Sequence, residues 1–144
     1  MQKRITMQDV ADKLGVSKVT VSKALTGKSD ISETMRDKII QTAKDLGYLY
    51  NSKGKMLKDN LSYSMGVIIS ERNFGQDAQF YVDLYKALSE ELEKLNYTVM
   101  FHILNQESEK NFDIPRMLLE QKVDGLIILG QLQRGYLEKI EELN

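Results

Sequence analysis

The stretch that most limits what this chain can become is Thr6 to Leu25, TMQDVADKLGVSKVTVSKAL. It reads as two short helices joined by a tight turn at Gly15-Val16-Ser17. Thr6 is a good N-cap, and Asp9 three positions on makes a variant capping box. Val10, Ala11 and Leu14 share one helical face, and Gly15 supplies the left-handed residue that closes the helix. Ser17 caps the second helix, whose inner stripe is Val21, Ala24 and Leu25. Lys18, Val19, Ser22 and Lys23 lie off that stripe, and Gly27 ends the element. A helix-turn-helix of this kind sets its second helix in a DNA major groove, with its N-terminal side chains against base edges.

A third helix is predicted from the Ser32 cap to Gly47, with Met35, Ile39, Ala43 and Leu46 at helical spacing and Ile40 widening the apolar face. Val10, Leu14, Val21, Leu25, Met35, Ile39 and Leu46 can then close one small core of marginal stability.

Charge separates this head from the rest. Residues 1–58 hold 12 Lys/Arg and 6 Asp/Glu, a net +6, whereas residues 59–144 hold 8 and 15, a net -7. A basic head on an acidic body suggests a nucleic-acid-binding module joined to something of another kind. Lys18 and Lys23 can reach phosphates or guanine O6 and N7, Thr20 and Ser22 can donate to phosphates, and Val19 can touch a thymine methyl.

The body, residues 61–144, reads β-α-β-α-β-α. Met65 to Ile69, Tyr97 to Leu104 and Gly125 to Leu129 are the strands. The first helix runs from about Gln79 to Leu95, with Phe80, Leu84, Leu88, Leu92 and Leu95 at helical spacing. Ile114 to Gln121 forms a short helix with Pro115 in its first turn, and Tyr136, Leu137, Ile140 and Leu143 stripe the last one. This order implies right-handed crossovers and a parallel sheet covered on both faces.

The chain has no cysteine, which excludes disulfides and thiolate metal sites and fits a reducing cytoplasm. No run approaches a membrane span, and the N-terminus lacks a signal-peptide core. There is no G-x-G-x-x-G after the first strand, no phosphate loop, and no nucleophile–base–orienter set. His102, the single histidine, sits inside a strand and reads as structural. The reading is therefore of no enzyme, no catalytic or metal site, and no cofactor.

The run ITMQDVADKLGVSKVTVSKALTGKSDISETMRDKIIQTAKDLGY resembles the DNA-binding headpiece of the lactose/galactose repressor family of bacterial transcription regulators. The resemblance is carried by I/V-T-x-x-D-V-A (Ile5 to Ala11), G-V-S (Gly15 to Ser17), T-V-S (Thr20 to Ser22), Leu25-Thr26-Gly27, S-x-x-T/M-R (Ser32 to Arg36) and L-G-Y (Leu46 to Tyr48). It implies that Lys18, Val19 and Lys23 read bases, and that Thr6, Ser17, Thr20 and Ser22 hold the phosphate backbone.

Residues 49–60, LYNSKGKMLKDN, look on composition like a flexible, basic linker. In the family the matching stretch reads roughly P-N-x-x-A-R-x-L and folds into a short hinge helix on DNA. Its leucine wedges into the minor groove beside the partner subunit's leucine. The resemblance sets Asn51 on the asparagine, Lys55 on the arginine and Leu57 on the wedge. Tyr50 replaces the proline and Gly54 the alanine, and that glycine costs about 1 kcal/mol of helix propensity.

The body is similar to the start of the same family's sugar-sensing core, itself similar to periplasmic binding proteins, through M-G-V-I-I (Met65 to Ile69) and V-D-G-L-I-I-L (Val123 to Leu129). The fold expected is thus a three-helix helix-turn-helix head over residues 4–58 (motif 6–25, hinge 49–60), then a partial Rossmann-like parallel β/α lobe over 61–144. Half of one lobe is present, as in an N-terminal fragment. Ligands of open α/β sheets bind outside the carboxyl ends of the strands. That points to residues 70–79 and 130–135, with Phe80 and Tyr81 as leading effector contacts and Asn73, Phe74 and Gln131 behind them.

The implied partners are a pseudo-palindromic DNA operator, a second copy of the chain, and a small effector, a sugar by resemblance, in the intact protein. The implied setting is the bacterial cytoplasm, at the nucleoid through DNA. The alternative is a solute-binding α/β domain whose basic head contacts proteins, and salt dependence of DNA binding separates the two.

Overall fold

Local signals for starting and stopping helices build the first of two units, which divide after Ser52. Residues 4–143 are described in the structure, a computed structural model. Helix α1 spans Met7–Leu14, α2 Lys18–Leu25 and α3 Glu33–Leu46. Thr6 and Asp9 close a full capping box on α1, with the Asp9 N–H donating to Thr6 Oγ1 at 3.3 Å and the Thr6 N–H to Asp9 Oδ2 at 2.7 Å. Gly15 takes the left-handed conformation (φ +66°), which lets the Val16 N–H donate to the Ala11 carbonyl at 3.1 Å and turns the chain into α2. The core of this unit is Val10, Ala11, Val21, Ala24, Ile39 and Ala43, with Leu14, Leu25, Met35 and Leu46 partly buried around it. Two alanines expected only to share a face, Ala11 and Ala24, are thus centre-pieces, because close helix approach favours the smallest side chains.

The second unit begins with helix α4, Lys53–Asp59. The stretch that composition reads as a linker and the family resemblance as a hinge helix is helical over seven residues, Gly54 included.

Strands β1 (Ser64–Ser70), β2 (Thr98–Leu104) and β3 (Gly125–Leu129) form a parallel sheet in the order β2-β1-β3. Alternate side chains of β1 feed two cores. Val67 and Ile69 pack with Leu129, Phe74, Tyr81 and Leu88 on one face, on helices α5 (Glu71–Gln76) and α6 (Ala78–Lys94). Ile68 packs with Leu104, Met117, Leu132, Tyr136 and Ile140 on the other. That face carries α7 (Gln106–Asn111), α8 (Arg116–Leu119) and α9 (Arg134–Glu141).

Four further details differ from the sequence reading. Residues 71–76, read as loop, form α5, because Ser70 caps it through the Asn73 N–H at 3.2 Å. Asn105 likewise caps α7, which was not foreseen, through the Ser108 N–H at 2.8 Å. The helix expected over 114–121 shrinks to α8, because Pro115 is an extended N-cap (ψ 141°) rather than a first-turn residue. The apolar stripe of α6 is rotated by one residue at its start. Tyr81 and Tyr85 turn inward where Phe80 and Leu84 were expected, and Phe80 stays 55% exposed. The Tyr85 ring lies 5.0 Å from that of Phe101 on β2, which fixes that rotation.

Candidate nucleic-acid interface

Helix α2 is held to its unit by Val21 and Ala24, both buried, and presents the rest of its surface outward. Lys18 is exposed, Val19 is 62% exposed, and Thr20, Ser22 and Lys23 are half-buried. Lys18 with Ser22, and Val19 with Lys23, are neighbours at i,i+4 on the outer face. Lys18 makes no ion pair among the described residues. Lys23, in contrast, is ion-paired with Asp30 in the turn between α2 and α3.

Of the hydroxyls expected at the phosphates, those of Thr6, Ser17 and Thr20 are already engaged locally. Ser17 Oγ accepts the Thr20 N–H at 3.1 Å and lies 2.9 Å from Thr20 Oγ1. Thr6 Oγ1 donates to Asp9 Oδ2 at 2.6 Å, so its hydrogen must leave that carboxylate to reach a phosphate. The Ser22 carbonyl receives the Thr26 hydroxyl at 2.8 Å, which tightens the end of α2.

In the second unit, Leu57 is 84% exposed on α4; Asn51, two positions before that helix in sequence, belongs to the first unit. Lys55 Nζ lies 4.4 Å above the Tyr63 ring, a cation–π contact. The Tyr63 hydroxyl donates to Asp59, and that bond, with burial and the Asp59 charge, pushes the phenol up to about 12. One aromatic residue thus ties both ends of α4 to the start of β1. Asp124 completes the junction by accepting the Ser62 and Tyr63 backbone N–H groups at 2.7 and 2.8 Å.

The proposed effector residues do not all converge. The strand order reverses between β1 and β3, and ligands of open α/β sheets bind outside the carboxyl ends of the strands at such a point. Asn73 Nδ2 donates there to the Gln131 carbonyl at 3.0 Å. Gly130 (φ +82°) lies between them; a β-carbon on it would collide with the Asn73 amide and sit 3.0 Å from Tyr81 Oη. Asn73, Tyr81 and Gln131 are therefore grouped. Phe80 meets Tyr81 edge-on at 5.1 Å and flanks that group. Phe74 is drawn into the core beneath, 6.3 Å from the Phe101 ring, and so stands apart from that group.

His102 on β2 is half-buried, and burial lowers its pKa, which keeps it neutral at pH 7. Asp30, Tyr63 and Asp124 are not singled out by the sequence as functional residues. The acidic residue in an otherwise basic turn, Lys28-Ser29-Asp30, is the one signal that marks Asp30.

Residues 6–51 match the family described as "Bacterial regulatory proteins, lacI family". Catabolite control protein A of Priestia megaterium is 25% identical over 139 residues, 96% of this chain and 41% of that protein. The maltose regulon regulatory protein MalI of Escherichia coli K12 is 33% identical over 128 residues, 89% of this chain and 36% of that protein. Among solved structures, the lac repressor dimer bound to operator and the anti-inducer ONPF aligns with a TM-score of 0.67 at 26% identity, over 98% of this chain and 42% of that one. The chain thus spans about two fifths of the length of the proteins it matches. The helix-turn-helix head followed by a parallel β/α unit matches the plan of the lac repressor structure, and residues 6–51 carry the domain of the lacI family of bacterial regulatory proteins.

Proposed function

We propose that this chain is the DNA-binding part of a transcription regulator, a repressor, which holds a pseudo-palindromic operator as a homodimer. The observation that carries this reading is the division of α2 into a buried side, Val21 and Ala24, and an outer side bearing Lys18, Val19 and Lys23. Lys18, Val19 and Lys23 read base edges; Thr6, Ser17, Thr20 and Ser22 engage phosphates. Leu57, the most exposed large apolar side chain of α4, wedges into the minor groove, and Asn51 and Lys55 also bind the DNA. In the intact protein a small ligand, a sugar, binds at the group of Asn73, Tyr81 and Gln131, with Phe80 at its edge. It changes DNA affinity by binding the two conformations of the regulator unequally. The regulator works in the cytoplasm, where its operator lies, and no helix among the described residues is long and apolar enough to cross a membrane.

Selection of bound duplexes from a random pool tests the reading. Recovered sequences should contain two related half-sites, and affinity should fall steeply with salt as phosphates are neutralised. Recovery of no common sequence together with salt-insensitive or undetectable binding would favour a protein-contacting head on a solute-binding domain. Release of the selected duplex by one sugar of a panel would identify the effector.

A further inference from the structure

The head contains a carboxylate that works against a surface built to meet phosphates. Asp30 is ion-paired with Lys23, and the two side chains remain 53% and 38% exposed. The turn that carries Asp30 is braced. Thr26 Oγ1 donates to the Ser22 carbonyl at 2.8 Å, the Lys28 N–H to the Lys23 carbonyl at 3.0 Å, and an Arg36 guanidinium N–H to the Lys28 carbonyl at 2.6 Å. Asp30 is therefore held in register with the last turn of α2, and the Lys23 ammonium keeps its carboxyl below the usual carboxylate range.

An exposed pair of this sort adds little to folding. Its effect lies in competition. On a duplex that offers no good acceptor, Lys23 stays with Asp30, and the pair contributes almost no net charge to the contact. Where a guanine edge or a well-placed phosphate presents acceptors, Lys23 exchanges one partner for another. We infer that Asp30 is a specificity-determining positioning residue of the DNA-binding head, which withholds Lys23 from indiscriminate phosphate contacts and releases it only to a matching acceptor. This rests on the DNA-binding reading above, and it concerns how that surface discriminates.

The test uses the 144-residue chain, a short random-sequence duplex, and the duplex recovered by selection. Asp30→Asn should raise affinity for the random duplex about fivefold at low salt and steepen the plot of log affinity against log salt by about one unit, as for one further phosphate contact. Affinity for the selected duplex should rise less, so the ratio between the two narrows. Asp30→Glu, which keeps the pair, should retain the wild-type slope. In a Lys23→Ala background, Asp30→Asn should change random-duplex affinity by less than about twofold. An unchanged slope in Asp30→Asn, or an equal gain in both backgrounds, would overturn the proposal while leaving DNA binding intact. Absence of duplex binding by the wild-type chain and every variant at low salt would instead remove the DNA reading and the proposal with it.

Discussion

The carboxylate of Asp124, at the start of β3, holds the backbone N–H of Tyr63 at 2.8 Å, and so fastens the exit of α4 to the sheet across 61 positions of sequence. Its other oxygen takes the Ser62 N–H at 2.7 Å. Burial raises this carboxyl, but the hydrogen bonds from Ser62, Tyr63 and Tyr97 outweigh it, and the net pKa is lowered. A lowered carboxyl stabilises the fold above its unfolded value of 3.8, and that contribution disappears as pH falls through the folded value. Asp124→Ala should destabilise the body unit by about 1 kcal/mol, the scale of hydrogen bonds to a partly solvated charge. Thermal unfolding at pH 7 and below pH 3 checks this: the difference between wild type and variant should shrink in acid.

Gly54 lies inside α4, and a β-carbon there would meet nothing within 4 Å. Gly54→Ala should therefore strengthen α4 by about 0.5–1 kcal/mol through helix propensity alone. Circular dichroism should show a gain in helix. Because α4 carries Leu57, duplex affinity should rise by about threefold, measured by titration at fixed salt.

Ile39 is fully buried and is the bulkiest member of the head's buried cluster. Ile39→Ala should cost about 2–5 kcal/mol, which is most of the stability that a unit of this size can hold. Calorimetry should show loss or an early shift of one unfolding step, with the step of the parallel β/α unit retained.

Lys18 and Thr20 lie two positions apart in the first turn of α2 but should fail in different ways. In its proposed role Lys18 reads a base, so Lys18→Ala should relax preference at one position by about 1–3 kcal/mol. In its proposed role Thr20 meets phosphate, which carries no base information, so Thr20→Ala should weaken binding to all sequences evenly. Binding of both variants to a panel of single-base operator variants separates the outcomes. Equal losses across the panel for both changes would contradict the base-reading role of Lys18.

The head was legible because its instructions are local. Thr6, Ser17 and Ser32 cap, Gly15 and Gly47 stop, and each acts within four residues. Strands β1 and β3 were legible as continuous apolar runs, as buried parallel strands require. Helices α5 and α7 were missed because six residues with at most one large apolar side chain, Phe74 in α5 and none in α7, carry no amphipathic period, and only the caps Ser70 and Asn105 announce them. The rotation of α6 was missed because Phe80–Leu84 and Tyr81–Tyr85 are equally good stripes; the choice is made by Phe101 on a neighbouring strand. Of the interface, the cationic face of α2 could be read directly. Its restraint by Asp30 and the knot of Asp59, Tyr63 and Asp124 could not, since those partners meet only after the turns and crossovers are in place.

The 2.9 Å separation of Ser17 Oγ and Thr20 Oγ1 has a stoichiometric outcome. Two hydroxyls that share a bond own two hydrogens, and one of those lies between them. The leading turn of α2 therefore offers a single outward O–H, able to arise from either oxygen, and it can serve one anionic oxygen at a time.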